Sequence, residues 1–194
     1  MPLTKSIFRK NCLKKMKNAP KESRFYRNAM INKQLMLELN NVKNARILFY
    51  YPLPFEADIR KTLNKMRKNC EILIPFMQDS SFKIVPFRLP LKKKNFGIYE
   101  AGNTIRNINK IDIAIVPAVG IATTKMQRVG FGKGMYDRFF SKLKKRPYTI
   151  FVQAQTCFTK ENICDSYDIK CDLLLTPKNA IEPKEYNRLK IGKK

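Results

Sequence analysis

The residues best suited to chemistry lie in one stretch, Arg128-Val129-Gly130-Phe131-Gly132-Lys133-Gly134-Met135-Tyr136-Asp137. Three of the chain's seven glycines fall there within five residues. Glycine tolerates positive φ and lets backbone approach a ligand closely. Alternating glycines make a poor strand or helix but a good nest of N–H groups for an anion. Helical spacing follows at once. Met135 and Phe139 sit four apart, as do Tyr136 and Phe140, and Leu143 continues the face. A glycine loop that opens a helix turns free N–H groups and the positive end of the dipole toward one place, which is a phosphate site. Lys133 adds a cation, and Asp137 lies four residues on, on the same helical face. A lysine for phosphate oxygens and an aspartate for Mg2+ are what a nucleoside triphosphate requires. The plainer alternative is a turn followed by an ordinary surface i,i+4 pair. The stretch lacks the hydroxyl residue of a Walker A loop, and its third glycine comes too early for the dinucleotide fingerprint.

The elements that must position this stretch can be read from hydrophobic spacing. Residues 4–17 read as a basic helix capped by Thr4, with Leu3, Ile7, Phe8, Leu13 and Met16 near a helical period and Pro20 beyond its end. Such a helix suits a presequence or a membrane surface; packing on the domain periphery is the reading preferred. A second helix is expected over about 22–39, with Phe25, Met30, Leu35 and Leu39 facing inward. Strands are expected at 46–51, 71–76 (ended by Pro75), 82–87, 112–117, 148–152 and 171–176. Helices are expected over 56–69 and from the glycine stretch to about Leu143. Residues 90–110 read as irregular and 118–129 as a loop. Strands that alternate with helices imply an α/β fold: three layers, α/β/α, with a mainly parallel, Rossmann-like sheet and helices on both faces. In such sheets ligands bind at the carboxyl ends of strands. Residues 1–194 are read as a single domain, with basic N-terminal helices at 4–40 and a solvated lysine-rich tail at about 184–194.

Composition narrows the chemistry. The chain has 40 Lys and Arg against 15 Asp and Glu, a net charge of +25. The charge is spread along the chain. It fits a nucleic-acid partner, an anionic small molecule or a lysine-rich proteome, and no dedicated nucleic-acid role is assigned. There is no histidine, so neither a Ser-His nor a Cys-His nucleophile pair can exist. The five cysteines at 12, 70, 157, 164 and 171 form no Cys-x-x-Cys. They are expected to be free thiols in a reducing cytoplasm. No apolar run is long enough for a bilayer and no secretory leader is apparent, so no membrane role is expected.

Taken in order, these segments resemble the 5-formyltetrahydrofolate cyclo-ligase family. Arg128-Val-Gly-Phe-Gly-Lys-Gly-Met-Tyr-Asp137 is similar to the family's Arg-x-Gly-x-Gly-Lys-Gly-Tyr-Tyr-Asp. Lys5-Ser-Ile-Phe-Arg9, Glu56, Phe96-Gly-Ile98, Val116-Pro117 and Tyr167-Asp-Ile-Lys-Cys-Asp172 resemble weaker family segments in the right order, over about residues 5–177. Met135 stands where the family has Tyr, and Tyr167 where it often has His. Ala122, Thr123 and Met126 stand in a loop that usually carries Asp and Gly. The resemblance implies ATP- and Mg2+-dependent conversion of 5-formyltetrahydrofolate, with or without a polyglutamate tail, to 5,10-methenyltetrahydrofolate, ADP and phosphate by a cytoplasmic monomer. It implies that Lys5, Arg9 and residues 128–136 (Arg128, Val129, Gly130, Phe131, Gly132, Lys133, Gly134, Met135, Tyr136) bind ATP. Lys133 and Arg128 would be catalytic. Asp137 and Asp168 would hold Mg2+. Tyr51, Glu56, Phe96, Phe131 and Met135 would bind the folate. The rivals are a basic nucleic-acid-binding protein on an α/β scaffold and another ATP-dependent kinase or ligase.

Overall fold

The structure is a computed structural model; residues 2–78, 80–94, 99–105, 108 and 110–183 are described here. Thr4 accepts the Ile7 N–H at 3.2 Å and so caps helix α1 (Lys5–Lys17), whose last turn carries Lys14, Lys15 and Lys17 where the dipole favours cations. Helix α2 (Arg24–Glu38) follows, then strand β1 (Arg46–Leu48), α3 (Arg60–Met66) and the hairpin β2 (Glu71–Gln78) and β3 (Ser81–Pro86). Strands β4 (Lys92–Lys93) and β5 (Tyr99–Glu100) form a minor pair. Strand β6 (Ile113–Pro117) leads into β7 (Gly120–Ala122), β8 (Gln127–Val129) and α4 (Met135–Phe140). Strands β9 (Tyr148–Val152), β10 (Phe158–Thr159), β11 (Leu173–Leu175) and β12 (Ala180–Ile181) complete the described elements.

The central sheet has seven strands in the order β12-β11-β9-β6-β1-β2-β3. Strands β11, β9, β6, β1 and β2 run parallel, and β12 and β3 pair antiparallel at the edges. Every residue of β6 and β9 is buried, the pattern of strands covered on both faces. Two aspartates set the ladder. Asp112, just before β6, accepts the Arg46 N–H of β1 at 2.8 Å, and Asp172, just before β11, accepts the Thr149 N–H of β9 at 2.7 Å. Alternate side chains then divide. Ile47, Ile113, Ile115 and Ile150 join Ile31, Leu35 and Leu63 of α2 and α3, while Leu48, Ala114, Val116 and Phe151 join Phe139 of α4.

The expected α/β architecture and mainly parallel sheet are therefore observed, with differences of detail. Strand β2 continues through Pro75 to Gln78. Beyond Leu73 it pairs only with β3, so the missing N–H can face the unpaired side. Helix α4 stops at Phe140 rather than Leu143. Residues 118–129 are not a loop but mostly the hairpin β7–β8, joined by β10 into a three-stranded sheet. No helix among the described residues is long and apolar enough to cross a membrane.

Candidate active site

The order of the sheet reverses between β1 and β6. Chain growth runs from β1 to β2 on one side and from β6 to β9 and β11 on the other. In open parallel sheets such a switch point leaves a crevice at the carboxyl ends of the strands. Glu56 lies in the segment that leaves β1, and the β7–β8 hairpin and glycine loop leave β6.

Arg128 lies at the carboxyl end of β6. It is 5% exposed, its Nε donates to the Pro117 carbonyl at the end of β6 at 2.7 Å, and its guanidinium lies 4.9 Å from the Tyr136 ring. The same guanidinium explains Gly130, where a Cβ would come within 2.4 Å of an Arg128 nitrogen. Among the described residues Arg128 has no ion-pair partner within 4.0 Å. Burial lowers its pKa, against the pull of Asp137, Tyr136, Glu56 and Asp168. A buried guanidinium with its terminal nitrogens uncommitted is a bidentate receptor for phosphate or carboxylate.

Glu56 shares this interior. It is 6% exposed and accepts the Leu53 N–H at 2.8 Å. Burial pushes its carboxyl up to about 7, with the Leu53 hydrogen bond and Arg128 pulling the other way. Burial, with Glu56 adding to it, also raises the phenols of Tyr136 and Tyr50. Phe131 packs on Phe55 at 5.5 Å. Tyr136 packs edge-on against Phe82 at 4.9 Å, and Met135 joins the same core.

Helix α1 supplies the second set of cations. Arg9 donates from Nε to the Gly130 carbonyl at 2.8 Å, and its guanidinium flanks Gly132. Lys5 bonds Asp168 and, at 3.2 Å, Asp165. Burial opposes the Lys5 charge, but these two hydrogen bonds outweigh it and leave its pKa raised. The helix seats on Gly120, where a Cβ would stand 2.5 Å from the Phe8 ring. It is also tied covalently. Cys12 and Cys157 form a disulfide across 145 residues of sequence, which corrects the expectation of five free thiols; Cys70, Cys164 and Cys171 are free. The pairing was invisible in the sequence because packing α1 on β7 is what brings the two cysteines together.

The glycine loop takes the positive φ expected of it at Gly132 (+106°) and Gly134 (+57°). Lys133 is exposed, and its carbonyl accepts from Arg138, which also donates to the Ser80 carbonyl at 2.5 Å. Asp137 accepts the Ile169 N–H at 3.3 Å, beside Asp168. Among the described residues no three Asp, Glu, Cys or His side chains converge as a metal cage. Mg2+ does not require one: one or two carboxylates suffice when water and phosphate oxygens complete its shell. Asp137 and Asp168 fit that donor set, although Asp168 here holds Lys5.

Three expected positions behave differently. Val129 points into the core under α1, and its carbonyl accepts the Val119 N–H at 3.0 Å. Tyr51 packs with Tyr99, Phe87 and Arg60 and lines a cleft of about 1050 Å³ between α2 and α3. Phe96 lies outside the described residues. Gln127, Asp165 and Arg138 were missed by sequence reading; a polar Gln before the glycine motif was the one available signal.

Fold and site together define an α/β protein with a glycine loop and buried and exposed cations near the switch point of its sheet. The model of the 5-formyltetrahydrofolate cyclo-ligase family matches residues 3–177. A Haemophilus influenzae protein named 5-formyltetrahydrofolate cyclo-ligase is 24% identical over 137 residues, 66% of this chain and 72% of that one. The NMR structure of Aquifex aeolicus 5,10-methenyltetrahydrofolate synthetase superposes with a TM-score of 0.78 at 26% identity, covering 96% of each chain. The Mycoplasma pneumoniae 5,10-methenyltetrahydrofolate synthetase shares the fold, with a TM-score of 0.68 at 22% identity over 90% of this chain and 99% of that one. The chain belongs to the 5-formyltetrahydrofolate cyclo-ligase family.

Proposed function

We propose that this chain converts 5-formyltetrahydrofolate to 5,10-methenyltetrahydrofolate at the expense of ATP. The observation that carries the reading is the buried Arg128 guanidinium against Gly130, with no carboxylate partner among the described residues, in a chain of this family. Arg128 and residues 130–136, with Lys5 and Arg9, bind the triphosphate. Arg128 and Lys133 neutralise charge as the γ-phosphoryl group passes to the formyl oxygen of the folate, which is work done by positioned cations rather than by a histidine base. The neighbouring folate nitrogen then attacks the activated formyl carbon, the ring closes, and phosphate leaves with the former formyl oxygen. Bound Mg2+ would screen the phosphate oxygens, held by Asp137 and Asp168. Glu56 meets the pterin, and Phe131 and Met135 line the pocket. The substrate is accepted with or without a polyglutamate tail, and the enzyme works as a cytoplasmic monomer. One domain carries the whole reaction, a reading supported by a structural match over 96% of the chain.

The test is absorbance. Purified protein with 5-formyltetrahydrofolate, ATP and Mg2+ should produce the near-ultraviolet band of the methenyl product, and omitting ATP should abolish it. Asp137→Ala and Lys133→Ala should each lose at least ~10²-fold in turnover. Thermal protection by ATP without the band would keep the nucleotide site and discard the folate reaction.

A further inference from the structure

We infer that Gln127 and Asp165 are positioning residues for Lys5, holding the 165–168 turn against β8 so that the turn fixes the Lys5 ammonium. The inference rests on the reading that Lys5 meets the phosphates of ATP. Neighbouring residues of a strand face opposite ways. In β8, Arg128 turns to Pro117 and Tyr136, and Gln127 turns to the acidic segment. Gln127 is 2% exposed. Its Nε2 donates to the Asp165 carbonyl at 2.6 Å and to the Asp168 carbonyl at 3.3 Å, so one buried amide grips both ends of the turn.

The turn in turn aims a carboxylate. The Asp165 N–H donates to Asp168 Oδ2 at 2.7 Å, and the Asp168 N–H donates to the Asp165 carbonyl at 3.1 Å. The buried Asp168 carboxylate is thereby fixed, and Lys5 is bonded to it and to Asp165. Tyr167 steadies Asp165 through a 2.9 Å hydrogen bond and lies beneath the ammonium, 5.7 Å from ring centre to Nζ. Lysine is a point charge on a flexible stem, so a fixed acidic seat is what limits its positions. A single strand thus sets two cations: Arg128 directly, and Lys5 through Gln127 and the turn. Neither Gln127 nor Asp165 needs to touch the nucleotide.

Calorimetric binding of Mg-ATP and steady-state kinetics on the full chain test this. Gln127→Leu should weaken ATP about tenfold, the scale of one charge-assisted hydrogen bond, with kcat changed less than about twofold. Asp165→Asn, at an exposed pair, should weaken it about threefold. Lys5→Met should cost about tenfold. Each double variant with Lys5→Met should bind no worse than Lys5→Met alone, because the helpers act only through that lysine. Losses that multiply in the doubles would overturn the inference. Should Gln127→Leu fail to fold, the Asp165→Asn and Lys5→Met cycle decides alone, since Asp165 is solvent-exposed. No Mg-ATP binding by the unmodified chain would instead overturn the functional reading, and the inference with it.

Discussion

Arg128 and Lys5 are held in place by opposite means. Arg128 rides on a β-hairpin that grows from the end of β6, so backbone hydrogen bonds to β7 fix it before any ligand arrives. Its charge is buried and has no carboxylate partner within ion-pair distance among the described residues. Lys5 arrives on a helix that packs through a small satellite cluster around Phe8, Cys12 and Met16, and its charge is matched by two aspartates. A cation held by the scaffold can remain unneutralised and ready for an anion. One carried on a flexible side chain at the end of a peripheral helix needs a counter-charge to keep its place. The difference separates a receptor built into the fold from one assembled by docking.

Breaking the receptor itself should have the largest effect. Arg128→Lys keeps the charge but loses the planar fork that serves Pro117, Tyr136 and Gly130 together. kcat/KM should fall about 10²–10³-fold. A loss within threefold would mean that a point charge is enough. The docking side breaks at its tether. Cys12→Ser should lower stability by about 2–4 kcal/mol under non-reducing conditions, read as a shifted urea midpoint, and added dithiol should then have no further effect. An unchanged midpoint would mean that the two thiols are not joined in solution.

The buried side can be sharpened through Glu56. Its folded value of about 7 lies above the ordinary 4.5, so between those values the folded state holds more protons than the unfolded one. Its contribution to stability is full below the unfolded value and is lost as pH rises through 7. Glu56→Gln cannot ionise and should therefore leave stability nearly unchanged at pH 4 while gaining roughly 2–3 kcal/mol over the parent at pH 8. Denaturant midpoints at both pH values would test this, and an equal gain at both would show that ionisation is not the cause. The gain should come with weaker folate binding if Glu56 meets the pterin.

Much of this was legible in the sequence. The segments 112–117 and 148–152 are legible as strands because short, mostly apolar runs between turn signals suit a parallel sheet. The glycine stretch announced its backbone needs through residue type, and Gly132 and Gly134 have the positive φ that glycine permits. Thr4 capped α1 as read. The hairpin β7–β8 was not legible, because its strands are three residues each and β10, which pairs with β7, is distant in sequence, Ile121 meeting Phe158. Met126, between those strands, takes φ of +49° without being glycine, a conformation that no local rule would have assigned to it.

Local structure is carried by neighbours along the chain, and for that reason the sequence alone determined the core strands, the α1 cap and the backbone needs of the glycine loop. Which charges remain unpaired is a matter of three-dimensional burial. Only the tertiary structure buried Arg128 without a carboxylate partner among the described residues, seated Lys5 on Asp165 and Asp168, raised Glu56 toward neutrality and joined Cys12 to Cys157. Each of those outcomes depends on groups more than thirty residues apart, or on how completely the folded chain excludes water from them, and neither quantity is encoded in spacing.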